Sequence, residues 1–363
     1  MSEKKLQSGG GMDAYVAAVA VAQPDRQLDQ GEALAIMQSR YDAELSDRSR
    51  AMMRKVFRHP SVQRRRIALE LTESPGILCD ESPDDKIKRF TRWAVELSCR
   101  AARQALLNGG VEPGEITVLV INTCTGYICP GITSYVIENL GLRAEIRAHD
   151  LVGSGCGGAI PNLQVAGALL QHEDDMALCI SVEIATATFQ MEDDPSLIVS
   201  NAIFADGAGA ALISRRAGGL RIVDTRSLHV PLHREAIRYV HRHGGQLHNQ
   251  LSARLPELVA PVVGTLVRDV LDRHGLTVSD VRHWAVHSGG EKVIDAVEEE
   301  LVLGAGQLDI TRRILESHGN MSSATVWFGL DRLMSNGRQP GDWWLMIGFG
   351  AGMSVHACLL RSV

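Results

Sequence analysis

The chain repeats part of its own sequence after about 165 residues, and this repeat constrains the fold more than any other feature. The segment GVEPGEITVLVINT begins at Gly110, and a related segment, GLTVSDVRHWAVHS, begins at Gly275. Each copy follows a helical stretch and runs into an apolar strand. The apolar segments that begin at Met176 and Trp343 correspond at nearly the same offset. We therefore predict an α/β fold made of two duplicated halves, residues 1–218 and 219–363, that face each other.

Three glycine-framed turns contain the residues best suited to catalysis. Cys156 lies in VGSGCGG, His287 in VHSGG and Asn320 in HGNMSS. In the repeat, His287 takes the place of Asn122, and Asn320 takes the place of Cys156. Catalytic residues collect at the carboxyl ends of strands in α/β folds. Two facing halves are therefore expected to bring the three turns to one point.

A thiol, an imidazole and a carboxamide together suit thioester chemistry. A thiolate can hold an acyl group, and the other two groups can donate hydrogen bonds to an oxyanion or enolate. We expect Cys156 to be the nucleophile, because a strand-to-helix turn and a nearby His287 would lower the pKa of its thiol. Cysteine proteases use the same residue types, but the glycine-framed turns argue against that class.

Composition excludes several other classes. The 363 residues carry a net charge of −6, which gives no basic footprint for a nucleic-acid partner. Apolar runs are too short for membrane insertion, and the first residues lack the apolar core of a secretion signal, which favours a cytoplasmic enzyme. Seven cysteines without framework spacing predict free thiols.

The residue pattern also permits a dinucleotide-binding protein. Gly153, Gly155 and Gly158 form a G-x-G-x-x-G turn between a strand and a helix, and Glu183 ends the next strand where a ribose-binding acid could lie. Against this alternative, the turn lies in the middle of the chain and places Cys156 where the backbone should approach pyrophosphate.

A histidine-rich region raises the question of a metal site. The same region contains several arginines, which repel a metal ion, so we predict a solvated or cavity-edge loop and no metal. Cys124 and Cys129 lack a second pair of ligands for zinc. The histidines are His229, His233, His241, His243 and His248.

Local patterns give the expected helices and strands. Strands are predicted at Asp13–Ala22, Ile116–Asn122, His149–Gly153 and Arg221–Leu228. Helices are predicted at Asp29–Asp47, Asp84–Asn108 and Gly157–Leu170, with Pro161 acceptable only near a helix start. A basic helical stretch over 48–66 and an acidic loop over 73–85 lie between the first two helices.

From about residue 14 to 363 the chain resembles the type III polyketide synthases, the chalcone synthase-like branch of the thiolase superfamily. The resemblance rests on successive motifs that occur in the family's order. These are CTGYICPG from Cys124, GCGG from Gly155, FADGA from Phe204, HSGGEKVID from His287, GNMSSA from Gly319 and GFGAG from Gly348.

The resemblance implies a thiolase-like five-layered αβαβα fold, a homodimer, and malonyl-CoA and acyl-CoA as substrates without a further cofactor. It implies that Cys156 carries the acyl chain with help from His287 and Asn320. Phe204 matches the family's gatekeeper, and a second gatekeeper is expected within 247–250. Cys124, Thr188 and Ala185 match cavity positions of the family. Cys129 matches the residue that reaches across the dimer.

Several basic residues are candidates for binding the phosphates of coenzyme A, with Lys55 and Arg58 foremost, although they also suit an ordinary charged face. The full set is Arg54, Lys55, Arg58, Arg64, Arg65 and Arg66.

The resemblance implies decarboxylative Claisen condensation of malonyl-CoA onto an acyl starter, followed by cyclisation to a pyrone, resorcinol or phenolic product. The HSGG turn at His287 resembles the bacterial branch that makes dihydroxyphenylacetyl-CoA. A ketoacyl-carrier-protein synthase of the same superfamily remains an alternative, although its turn usually reads His-Gln-Ala-Asn.

Overall fold

The computed structural model describes residues 14–242 and 245–363. The N-terminal arm, Asp13 at the predicted start of the first strand, and His243 lie outside the described residues.

Within these ranges the chain forms ten helices and thirteen strands. The helices are α1 Gln30–Tyr41, α2 Asp47–Phe57, α3 Pro83–Gly109, α4 Ile132–Leu140, α5 Ala159–Ala168, α6 Pro195–Ile203, α7 Leu255–Arg273, α8 Glu291–Glu300, α9 Asp309–His318 and α10 Thr325–Ser335. The strands are β1 Tyr15–Ala22, β2 Gln27–Asp29, β3 Arg64–Arg66, β4 Val118–Asn122, β5 Arg147–Leu151, β6 Met176–Ile184, β7 Asp206–Ser214, β8 Leu220–His229, β9 Ile237–Arg242, β10 Gln246–Leu251, β11 Val281–Val286, β12 Trp343–Gly350 and β13 Ser354–Ser362.

Nine of the thirteen described strands form one sheet that shows the duplication directly, and the other four pair as β2 with β3 and β9 with β10. The order of the nine-stranded sheet is β11-β12-β13-β8-β1-β7-β6-β4-β5. Outward from the centre, β1, β7, β6 and β4 on one side mirror β8, β13, β12 and β11 on the other, and β5 is an additional edge strand. The halves join where β1 pairs with β8 through two residue pairs, Tyr15 with Arg221 and Val16 with Leu220. The predicted duplication is confirmed, while the boundary at residue 218, between β7 and β8, stays a prediction.

Several strands of both halves are buried on both faces, which produces the five layers; they are β4, β6, β7, β12 and β13. In β4, Leu119 and Ile121 face an outer core with α3 and α4, whereas Val118 and Val120 face an inner core. That inner core contains α5 and α10 and is completed by alternate residues of β11, β12 and β13. The other residues of these strands face α7 and α8. Each large side chain buried this way contributes about 1.5–3 kcal/mol.

The long helix α3 has clear sequence signals at both ends. Ser82 accepts a hydrogen bond from the Asp85 backbone N–H, Pro83 occupies the first turn, and Gly110 ends the helix with φ of 62°. The predicted helix at Asp84–Asn108 is thus confirmed.

The single helix predicted at Asp29–Asp47 is wrong, because α1 ends at Tyr41 and α2 begins at Asp47. Ser46 caps α2 by accepting from the Ser49 N–H. Arg50 of α2 donates to the carbonyls of Asp42 and Leu45 and so satisfies the intervening turn. These contacts stabilise a break that helix propensity alone did not reveal.

Candidate active site

Cys156 lies in a 3-10 turn, Gly155–Gly157, between β5 and α5. Gly155 has φ of 57°, and a Cβ there would lie 2.8 Å from the backbone nitrogen of Ala351, so only glycine fits. Helix α5 begins at Ala159, which leaves Pro161 in its first turn as predicted. Cys156 is the middle residue of this turn and is only 8% exposed.

His287 directly follows β11, and its backbone N–H donates to the carbonyl of Ile347 at 2.8 Å. Its ring packs edge-on against Phe349, with centroids 4.9 Å apart. Gly289 approaches so closely that a Cβ there would lie 3.4 Å from His287 Nε2. Burial lowers the pKa of His287 to about 3, so its imidazole rests in the neutral form.

Asn320 lies between α9 and α10 with its amide oriented at both ends. Its Oδ1 accepts from the Ser322 N–H at 2.8 Å, and its Nδ2 donates to the Gly289 carbonyl at 3.3 Å. Asn320 therefore contacts the turn that follows His287. One of the two N–H bonds on Nδ2 is left for another acceptor.

Ser322 connects the Asn320 turn to Cys156, and sequence reasoning missed it. Its hydroxyl lies 3.2 Å from the sulfur of Cys156 and 3.2 Å from the sulfur of Cys124. Ser322 has φ of 49°, a left-handed conformation that is unusual for a residue with a side chain. Its place in the HGNMSS motif was the available signal. Through Ser322 and Gly289, the structure brings the turns of Cys156, Asn320 and His287 together.

The protonation state of Cys156 differs from the expectation of a lowered thiol pKa. Burial raises the pKa of Cys156 to about 12, although the hydrogen bond from Ser322 acts in the opposite direction. Burial is the largest of the effects on this thiol, so it outweighs the influence of the helix start. Burial thus disfavours the charged form of both the Cys156 thiol and the His287 imidazole.

Glu183 is not available to bind a ribose. It is 0% exposed and accepts hydrogen bonds from the hydroxyls of Thr123 and Thr125, the Cys124 N–H and the hydroxyl of Ser323. Burial raises its pKa. The dinucleotide alternative is therefore wrong, since the Gly153–Gly158 turn presents Cys156 and its proposed acid is enclosed.

A cavity of about 640 Å³ lies beside this cluster. Cys124 and Thr188 line it, as expected, and so does Leu247 from the segment assigned to the second gatekeeper. Ala185 is buried outside the wall, where its carbonyl accepts from the Thr188 hydroxyl at 2.8 Å.

Tyr239 on β9 also lines the cavity and was not singled out in the sequence. Its hydroxyl interacts with that of Thr188, while burial and then the neighbouring Cys124 thiol raise the pKa of Tyr239 well above its ordinary value. The phenol therefore stays protonated at neutral pH and can donate a hydrogen bond into the cavity.

The backbone of Phe204 is attached to the Asn320 turn. The flanking Ala205 N–H donates to the Asn320 carbonyl at 2.9 Å, and the Asn320 N–H donates to the Ile203 carbonyl at 2.8 Å. The Phe204 side chain is absent from the wall of the described cavity. Its position beside Asn320, at the end of α6, places Phe204 next to the catalytic turns.

Arg65 stabilises the Phe204 segment through hydrogen bonds and does not belong with the candidate phosphate-binding residues. It is buried, and its guanidinium donates to the carbonyls of Asn201 and Phe204 at 2.7 Å. Lys55 and Arg58 are exposed, on α2 and at its C-terminal end, and remain accessible. Cys129 is exposed and away from the cavity.

The histidine-rich region forms the β9–β10 hairpin and its approaches. His241 lines the cavity, and His248 is buried against Asp194, with Nε2 3.2 Å from Oδ2. His229 packs against His356, and His233 ends a short 3-10 turn. Within residues 14–242 and 245–363, no group of three His, Cys, Asp or Glu side chains could hold a metal ion.

Comparison with known families decides among the remaining alternatives. The profile of the family described as FAE1/Type III polyketide synthase-like protein matches residues 13–226, more than half of the chain. The profile of the C-terminal domain of chalcone and stilbene synthases matches residues 225–363. The chain belongs to the type III polyketide synthases. It is therefore a CoA-dependent acyl-condensing transferase, and the carrier-protein-dependent alternative is set aside.

Relatives of this type III polyketide synthase include bacterial enzymes. A 3,5-dihydroxyphenylacetyl-CoA synthase from Streptomyces toyocaensis is 29% identical over 320 residues, which cover 85% of this chain and 82% of the relative. A 1,3,6,8-tetrahydroxynaphthalene synthase from Streptomyces griseus is 31% identical over 265 residues, which cover 71% and 70%.

The solved structures agree with the fold of this type III polyketide synthase. PKS-I from the brown alga Ectocarpus siliculosus has a TM-score of 0.88 and 25% identity, with coverage of 96% of this chain and 98% of that one. The predicted thiolase-like fold is confirmed. In the part of the polyketide synthase that the structure describes, no helix is long and apolar enough to cross a membrane.

Proposed function

We propose that this type III polyketide synthase condenses malonyl-CoA units on Cys156 and cyclises the chain to a hydroxylated aromatic product. The observation that carries the proposal is the joining of the Cys156, His287 and Asn320 turns beside a cavity of about 640 Å³. This volume lies in the range of small-molecule sites. The HSGG turn and the relative named as a 3,5-dihydroxyphenylacetyl-CoA synthase favour a phenolic acyl product over a pyrone.

In the first step, Cys156 attacks the starter thioester. The thiol proton passes to His287, the sulfur forms a new bond to the acyl carbon, and the bond from that carbon to the sulfur of coenzyme A breaks. Since burial favours the neutral thiol, proton transfer to His287 has to accompany the attack.

In the second step, His287 and the free N–H of Asn320 Nδ2 donate to the thioester oxygen of malonyl-CoA. Carbon dioxide leaves, and the electron pair of the broken bond forms an enolate that these donors stabilise. The enolate carbon then attacks the acyl carbon of the Cys156 thioester, and the bond from that carbon to the Cys156 sulfur breaks. The sulfur takes back the proton held by His287, and the extended chain, now on coenzyme A, returns to Cys156 by a repeat of the first step. No base has to remove a proton from carbon.

The cavity supports a polar, ring-forming chain. Thr188, Tyr239 and His241 place polar groups on its wall, and polyketide carbonyls are hydrogen-bond acceptors. Phe204 is the proposed gatekeeper at the entrance beside Asn320, and Lys55 and Arg58 are the proposed contacts for the phosphates of coenzyme A.

The proposal includes a homodimer, in which the exposed Cys129 contributes to the neighbouring subunit, and a cytoplasmic location. It includes no cofactor besides the CoA substrates.

Product analysis tests the proposal. Purified enzyme is incubated with malonyl-CoA alone and with acyl-CoA starters of increasing length, and products are identified by mass spectrometry. Malonyl-CoA alone is expected to give an aromatic product that carries phenolic hydroxyls. A requirement for a long acyl starter, or release of pyrones only, would contradict it.

A further inference from the structure

A second groove, of about 580 Å³, is lined by an unusual concentration of positive charge. Arg64 and Arg66 enter it from β3, Arg313 from α9 and Arg332 from α10, together with His318 and one acid, Glu316. Side chains alternate along a strand, so Arg64 and Arg66 point away from the face on which Arg65 holds Phe204. The groove is thus distinct from the cavity beside Cys156.

The positive charge of this groove is poorly compensated. Within the described residues, Arg64 and Arg332 form no salt bridge, and Arg66 donates to the backbone carbonyls of Pro24 and Asp25. Arg313 lies 3.6 Å from Asp309 in an exposed pair, which is screened by solvent. The Glu316 carboxylate accepts from Gln63 at 2.6 Å. A local positive field results, in a protein whose net charge is −6.

His318 adds a neutral acceptor to these donors. Burial, followed by the charges of Arg66 and Arg64, lowers the pKa of His318 to about 4. Its Nδ1 lies 2.6 Å from Gln23 Oε1, which can only accept, so the proton is on Nδ1. Nε2 is then an acceptor that suits a hydroxyl group.

We propose that this groove binds a phosphate-bearing ligand of about the size of a nucleoside diphosphate. Guanidinium groups match phosphate oxygens in pairs, and four of them suit more than one phosphate. Ile310 and Ile314 line the same groove and offer an apolar surface for a base. His318 Nε2 can accept from a ribose hydroxyl.

Two sources supply this chemistry, a free nucleotide and the nucleotide portion of coenzyme A, and the geometry favours the free nucleotide. Arg65 and the Asn320 turn lie between the groove and Cys156, and they pack closely: a Cβ on Gly319 would lie 2.8 Å from Arg65 Cγ. A pantetheine arm that starts in the groove would have to cross this packed layer.

Calorimetry with ADP tests the binding. The parent enzyme is compared with the double variant Arg313→Gln/Arg332→Gln and with a control of equal charge change, Arg282→Gln/Arg338→Gln, which replaces exposed arginines outside the groove. ADP is expected to bind the parent and the control, and to bind the groove variant at least about tenfold more weakly. Adenosine should not bind, and ADP binding should weaken with ionic strength.

Three outcomes would overturn the proposal. One is the lack of ADP binding to the parent at about 10 mM; another is equal binding by the groove and control variants. The third is evidence that coenzyme A occupies the groove. The KM for malonyl-CoA is expected to be the same in the parent and the groove variant, and ADP at saturation is expected not to compete with malonyl-CoA. A KM that rises in the groove variant would make the groove part of the substrate site. Thermal unfolding verifies that each variant is folded.

Discussion

The hydroxyl of Ser322 lies 3.2 Å from the sulfur of Cys156, and this hydrogen bond opposes the effect of burial on the thiol. A serine hydroxyl has one proton and can donate it to one sulfur at a time. Cys124, at the same distance on the other side, is then the donor to Ser322. The reactivity of Cys156 is therefore coupled to a residue on the opposite half of the fold.

Replacement of Ser322 should slow acylation of Cys156. Both Ser322→Ala and Ser322→Gly remove the hydroxyl, so both should raise the pKa of the thiol further and retard acyl-enzyme formation, measured by intact-protein mass spectrometry. The glycine variant tolerates φ of 49° and should be more stable than the alanine variant by about 1 kcal/mol. Acylation of Ser322→Ala at the parent rate would show that the hydrogen bond is irrelevant to the nucleophile.

Loss of the Asn320 amide should slow decarboxylation of malonyl-CoA, because the activation barrier should rise by about 2–4 kcal/mol. Asn320→Asp is the sharper variant, because its carboxylate can still accept from the Ser322 N–H but has no N–H to donate. Release of carbon dioxide and acylation of Cys156 are measured separately. Acylation should remain measurable in both Asn320→Ala and Asn320→Asp, and unchanged decarboxylation in either would refute the donor role.

Acid should destabilise the protein through its buried histidines. Burial lowers the pKa of His287 to about 3 and that of His318 and His356 to about 4. They stay neutral in the folded state, whereas the unfolded chain binds protons below about pH 6.5, so stability falls as pH drops from 6.5 toward the folded pKa values. Each histidine contributes about 1.4 kcal/mol per pH unit in that window.

The variant His287→Gln isolates one of these contributions. Denaturant unfolding at pH 7.5 and pH 5 should show a smaller loss of stability in the variant than in the parent. Identical losses would mean that His287 is not held neutral by burial.

Arg65 should affect both stability and starter selection. Arg65→Met leaves the carbonyls of Asn201 and Phe204 without a donor, at a cost of about 1–3 kcal/mol each. Arg65→Lys keeps the charge but lacks the Nε–H that donates to Gln30 Oε1 at 3.2 Å, so its effect should be intermediate. Thermal unfolding and the product profile over a series of starters measure the two effects. A shift in melting temperature with no change in starter preference would separate Arg65 from the gatekeeper.

Tyr239 should set the length of the accepted chain by its bulk. Tyr239→Ala enlarges the cavity and should admit longer starters, by about 1–3 kcal/mol in specificity per added methylene that is accommodated. Tyr239→Phe keeps the ring and should leave the length preference unchanged while altering the product pattern through loss of the hydroxyl. The comparison is made with competing starters. Equal profiles for all three proteins would place the chain elsewhere.

Ala185→Leu, by contrast, is expected to destabilise the fold and not to shorten the product, because Ala185 lies outside the cavity wall. A shorter product from a variant with parent-like stability would restore Ala185 to the wall.

The sequence predicted the structural features that are repeated along the chain and those that depend only on neighbouring residues. The internal repeat predicted strands β4, β6, β11 and β12 and the turns of Cys156, His287 and Asn320. It could do so because apolar strand segments and glycine-framed turns recur in the sequence at a nearly constant offset. The dinucleotide alternative failed because a local G-x-G-x-x-G pattern does not show that Glu183 is enclosed by Thr123, Thr125 and Ser323.

The features that the sequence did not reveal depend on distant contacts. Arg65 cannot be told from Arg64 and Arg66 in a run of three arginines, since three residues are too few for an alternation to show. The raised pKa of Cys156 results from burial by segments far along the chain, whereas the expected lowering relied on the adjacent helix start and on His287.

The central pair of helices, α5 and α10, has an evolutionary consequence. Each packs against strands from both copies of the ancestral unit, so the innermost apolar surface exists only when the copies are fused. Separation of the two halves would expose that apolar surface to water, and neither half could exist as an independent protein unless the surface were changed. Asn122 and His287 occupy equivalent positions in the two halves but differ in their contacts: Asn122 is bound to Ser181, Asn162 and Ser323, whereas His287 Nδ1 has no hydrogen-bond partner among the described residues. The shared inner core therefore leaves the two halves mutually dependent, while one of two equivalent positions is tied into structure and the other is left with an unpaired ring nitrogen.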